Sequence, residues 1–130
     1  MAQGSQAGML AQADLRRIVR PIDMMHLAKQ ALGDEALELE ILRAFGETTA
    51  HHFTQLDKAV AVPDKLHHLH TLKGAAIGVG AWGLAEHAHV MARELKRTDI
   101  ADPEMLEDIR VSVEELRSFI ADRIALADAE

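Results

Sequence analysis

Apolar residues recur along this chain at three- and four-residue intervals, the spacing of amphipathic helices. Leu37, Ile41, Leu42, Phe45, Thr49, Phe53, Leu56 and Val60 form one such series. They predict a long helix capped by Asp34 and running to about residue 61. Val62, Pro63 and Asp64 then open a third helix, with proline near the first turn and an acid placed favourably for the dipole. Leu66, Leu69, Leu72, Ala76 and Val79 give it an apolar arc, and Gly78 and Gly80 are expected to end it. A fourth helix is predicted from residue 82 to about 97, with Leu84, Ala88, Met91 and Leu95 on one face. Asp102, Pro103 and Glu104 are a start signal, and Leu106, Ile109, Val113, Leu116, Ile120 and Ala127 extend a last long helix.

Shorter pieces precede these. Residues 23–32 read as a helix stopped by Gly33, and residues 14–19 as a short helix that Arg20 and Pro21 interrupt. Residues 1–13, rich in Gln, Gly and Ala, read as a flexible lead-in. No stretch alternates polar and apolar as a half-buried strand would. Short connections favour antiparallel neighbours. The expected fold is all-α: an antiparallel up-down-up-down four-helix bundle over residues 14–130, with short N-terminal helices.

Composition agrees with helix-on-helix packing. The 130 residues suit one domain, 48% are hydrophobic and only 3% aromatic, so aliphatic side chains must fill the core. There is no cysteine, which removes disulfides and thiolate metal sites. A net charge of −7 argues against a nucleic-acid partner. No apolar run approaches the roughly 20 residues of a membrane span. Residues 1–9 lack the basic start and apolar block of a secretory signal. A cytoplasmic protein is expected, monomeric through self-repulsion.

The run His70-Thr71-Leu72-Lys73-Gly74-Ala75-Ala76 carries the candidate chemistry. At about 100° per residue, His70 falls roughly 160° from the core-facing Leu72, with Lys73 and Gly74 on either side of it one turn on. The imidazole is therefore expected on the flank, toward solvent. A glycine inside a helix is worth about 1 kcal/mol less than alanine. Two compensations are available: close packing of a neighbouring helix, or clearance for a partner at His70. Lys73 reads either as a solvated surface cation or as a charge for a phosphoryl group on the imidazole.

These residues resemble the histidine phosphotransfer (Hpt) domain family, whose signature is His-x-Leu/Ile-Lys-Gly-Ser/Ala-Ser/Ala followed by a small-residue stretch ending in glycine. His70, Leu72, Lys73, Gly74, Ala75 and Ala76 match it in order, and Val79 and Gly80 match the apolar-Gly exit. The resemblance implies a four-helix bundle whose exposed histidine relays a phosphoryl group between aspartates of receiver domains in a two-component phosphorelay. It implies His70 as phosphoryl acceptor and donor, Lys73 as the phosphate-facing cation and Gly74 as the residue giving access. Some relatives place a Gln on the next helix to orient the imidazole; Ala92 stands at that position here. His67, His89 and Arg93 are then candidates for that task, and His67, Ile77, His89 and Arg93 for receiver docking.

The reaction so implied is in-line attack of a neutral imidazole on an aspartyl phosphate, catalysed by positioning and charge. Mg²⁺ is expected on the partner receiver, and no cofactor on this chain. Nothing resembles an ATP site, so a phosphocarrier and not a kinase is expected. Two other readings stand beside it. The eight histidines allow a metal-binding bundle, for which His67 and His70 have i, i+3 spacing. A helical adaptor would bind a receiver without phosphotransfer.

Overall fold

Asp23, Asp34 and Asp102 each stand just ahead of a helix and satisfy one of its free N–H groups. A computed structural model describes residues 20–129. Its helices are α1 (Met24–Gln30), α2 (Glu35–Lys58), α3 (Val62–Val79), α4 (Trp82–Thr98) and α5 (Pro103–Ala129), with no strand among the described residues. The Asp23 carboxylate accepts from the His26 N–H at 3.2 Å, Asp34 from Leu37 at 3.1 Å and Asp102 from Glu104 at 2.8 Å. The lead-in expected over residues 1–13 and the helix expected over 14–19 lie outside the described residues.

Two helix ends differ from the expectation. α2 stops at Lys58 because Ala59 turns to extended backbone, which leaves Val60 in the connection and 90% exposed. Val60 continues the apolar series but has no neighbouring helix to bury it. Gly78 stays helical, and α3 ends only at Gly80, which is left-handed at φ 83°. There the N–H of Ala81 donates to the Ala76 carbonyl at 2.8 Å, and the N–H of Gly80 to that of Ile77 at 3.3 Å. This pair of bonds is a Schellman cap, which a glycine at the left-handed position allows.

Gly80 is needed for a second reason. A Cβ there would lie 3.0 Å from Asp23 Cβ and 3.1 Å from the Asp23 carbonyl oxygen. The Asp23 N–H donates to the Gly80 carbonyl at 2.9 Å, and Trp82 Nε1 donates to the Asp23 carboxylate at 3.1 Å. One aspartate thus caps α1 and fastens it to the turn between α3 and α4. Its pKa is lowered, first by the Trp82 bond and then by the His26 N–H.

The long helices form a ring in which α2 packs on α3, α3 on α4, α4 on α5 and α5 on α2. Their inward faces supply the core: Leu42, Phe45 and Leu56 from α2, Leu69, Leu72 and Ala76 from α3, Leu84, Ala88 and Met91 from α4, Ile109, Val113 and Leu116 from α5. Each large aliphatic side chain so buried contributes about 1.5–3 kcal/mol. Among the described residues the one polar side chain in this core, Thr49, is satisfied by donating from Oγ1 to the Phe45 carbonyl at 3.0 Å. No described helix is long and apolar enough to cross a membrane.

Candidate functional site

The arc that buries Leu69, Leu72 and Ala76 fixes the rotation of α3, and with it the outward placement of His70. His70, Gly74 and Gly78 follow at four-residue steps and all three are exposed, so they form one row along the helix surface. A Cβ at Gly74 or at Gly78 would meet nothing among the described residues within 4 Å. Close packing of a described neighbouring helix therefore does not account for Gly74. Ile77 lies between the two glycines and is 43% exposed.

His70 borders a groove of about 810 Å³ between α3 and α4. Leu66, His67, Leu69 and Lys73 line it from α3; Ala88, His89, Ala92, Arg93, Lys96 and Arg97 line it from α4. The floor is apolar and the rim is basic. Among the described residues no Asp or Glu lines the groove, although the chain as a whole carries −7. Arg97 is partly neutralised by Glu94, whose carboxylate accepts from its Nη2 at 2.6 Å and is held below the usual carboxylate range by that bond.

The structure brings together five of the residues singled out from sequence. His67, His70, Lys73, His89 and Arg93 share this groove, while Gly74 and Ile77 lie on the outer surface of α3 beside it. Ala92 also lines the groove, presenting a methyl group where some relatives carry an amide. The orientation of Lys73 was not legible in advance. Its Nζ donates to Nδ1 of His89 at 3.0 Å, across the groove. His89, a candidate for orienting the imidazole, is thus bonded to the lysine.

A second arrangement also escaped sequence reasoning. Nδ1 of His52 on α2 lies 2.9 Å from Nδ1 of His68 on α3, one ring donating and the other accepting. The His51 and His67 rings pack beside them, with centroids 5.2 Å from His52 and 5.1 Å from His68 respectively. Burial, then the proximity of His68, His51 and His67, lowers the His52 pKa below the ordinary 6.5. Spacing within one helix had joined His67 to His70; the structure instead pairs His52 with His68 across two helices. The available signal was their symmetric placement about the 59–61 connection. Among the described residues, no three His, Asp or Glu side chains gather in a way that could hold a metal ion.

Comparison with curated proteins and with solved structures gives no match. The family model described as the Hpt domain matches residues 40–119, from the first part of α2 into α5, and the match includes the whole His70 groove. Well over half of the chain is covered by that model, and the His-x-Leu-Lys-Gly segment on α3 turns His70 and Gly74 outward and Leu72 into the core: the chain belongs to the Hpt domain family.

Proposed function

We propose that this protein is a phosphocarrier in which His70 takes a phosphoryl group from the aspartate of one receiver domain and gives it to that of another. The observation that carries this reading is the exposed His70 on the rim of a basic groove, with an unobstructed glycine row beside it. A ring nitrogen of neutral His70 attacks phosphorus in line. The N–P bond forms as the bond to the aspartyl oxygen breaks, and the carboxylate leaves. The reverse step delivers the group to the next receiver. The attack uses the lone pair of a ring nitrogen, which only the neutral imidazole offers.

Lys73 stabilises charge on the transferring group, and Gly74 leaves room for the incoming receiver. The Mg²⁺ that such a transfer uses sits in the receiver's acidic pocket, and this chain acts without ATP. Ile77, His67 and Arg93 are the proposed docking contacts, an apolar centre with a polar rim. The four long helices run up-down-up-down. Short connections at 59–61 and 80–81 support that course, as do the pairings of His52 with His68 and Lys73 with His89.

The test is incubation with a phosphorylated receiver, followed by location of the label. An acid-labile, base-stable phosphate at His70 is expected. His70→Gln keeps its helical content and accepts none. Label retained by that variant moves the site to another residue. A wild-type protein that binds the receiver and stays unlabelled is an adaptor.

A further inference from the structure

The ammonium of Lys73 is spoken for before any phosphoryl group arrives. The side chain is half-buried, and Nζ donates to Nδ1 of His89 on the facing helix at 3.0 Å. An ammonium has donors and no acceptor, so the Nδ1 lone pair of His89 must be free and its ring proton must sit on Nε2. The acceptors for a cation in this groove are few. Among the described residues no carboxylate lines it, and Arg93 and Lys96 bring only donors. The imidazoles of His67, His70 and His89 remain.

Among those three, His70 is three residues from Lys73 on the same helix, a spacing at which side chains touch. A lysine that donated to His70 would occupy a lone pair that the phosphoryl transfer needs. His89 accepts the same ammonium from across the groove and leaves the imidazole of His70 unencumbered.

We infer that His89 is a positioning residue for phosphotransfer: it holds Lys73 inside the groove, near His70 and off its lone pair, until a phosphoryl group claims the cation. This rests on His70 as the carrier. Phosphoryl oxygens are anionic acceptors, and an ammonium binds them more strongly than it binds a neutral imidazole. Loading of His70 therefore draws Nζ from His89 to the phosphate, with a bond to a neutral acceptor exchanged for one to an anion. Holding the lysine beforehand spares the transition state the ordering of a long side chain. His89 does this where Ala92 offers no polar group.

The experiment compares transfer rates from a phosphorylated receiver to wild type, His89→Leu, His89→Gln, Lys73→Met and the Lys73→Met/His89→Leu double variant. His89 is exposed, so the variants are expected to fold, and helical content by circular dichroism checks this. His89→Leu is expected to slow transfer about tenfold, the scale of one hydrogen bond to a charged group. Glutamine, whose amide oxygen accepts from an ammonium, restores most of the rate. The double variant is no slower than Lys73→Met alone, because the effect passes through the lysine. Nitrogen NMR of the unloaded protein shows His89 protonated on Nε2. A wild-type rate or a faster one in His89→Leu overturns the inference, as does a double variant that multiplies the two single effects. A proton found on Nδ1 of His89 does the same. Absence of any transfer to wild-type His70 overturns the carrier reading itself, and the nitrogen spectrum then decides on the Lys73–His89 bond alone.

Discussion

Gly74 lowers the stability of α3 by about 1 kcal/mol relative to alanine, and nothing packs into the space it leaves. Stability and function should therefore separate at this residue. Gly74→Ala is expected to raise the unfolding free energy by about 0.5–1 kcal/mol in urea titrations, since the methyl group meets no neighbour and the helix gains propensity. If a receiver docks at His70 as proposed, the same methyl, one turn away, stands in its path, so phosphotransfer should slow. A variant both more stable and equally fast would remove clearance as the reason for the glycine. The outward placement of His70 was legible because it follows from helix rotation alone, and Leu69, Leu72 and Ala76 fix that rotation. The destination of the Lys73 ammonium was not. A flexible four-carbon stem reaches whichever acceptor the facing helix presents, and that depends on packing.

Between elements, the contact of α2 with α3 carries a titratable load. His52 is driven below the ordinary histidine value by burial and by three neighbouring imidazoles. Its proton is bound more weakly in the folded protein than in the unfolded chain. Stability from this site is thus complete above about pH 6.5, the unfolded value, and is lost as pH falls below it through the folded value. Melting temperature should drop between pH 7.5 and pH 5.5, and His52→Gln should flatten that drop. An equal pH dependence in the variant would mean that other groups govern it. Helix starts were readable at this scale because caps are local: Asp23, Asp34 and the Asp102-Pro103 pair each act within a few residues. Helix ends were read less well. Val60 and Gly78 sit in patterns that look alike with or without a neighbour, and the tertiary setting decides them.

For the molecule as a whole, charge is unevenly spread. A chain of net charge −7 gathers Lys73, Arg93, Lys96 and Arg97 around one groove that no acid lines among the described residues. Such a field steers an acidic partner to the right face and repels it elsewhere. The association rate with a receiver should therefore fall as salt rises from 50 to 500 mM, about the range over which screening shortens from beyond 10 Å to a few ångströms. Lys96→Glu should lower that rate and weaken its salt dependence, measured by stopped-flow fluorescence. An all-helical fold was legible from periodicity, since its ring of neighbours buries the same apolar stripes that the spacing marked out. The groove's basic rim was not, because its cations come from two helices and meet only in three dimensions. The fastening of Gly80 by Asp23 and Trp82 has a consequence for traffic. It pins to α1 the two helix ends that meet at residues 80–82, so under the proposed function each visitor meets α3 and α4 joined there in one way. On the proposed relay, donor and acceptor share that face and come and go in turn, and the cargo travels only as long as it outlives the wait between them.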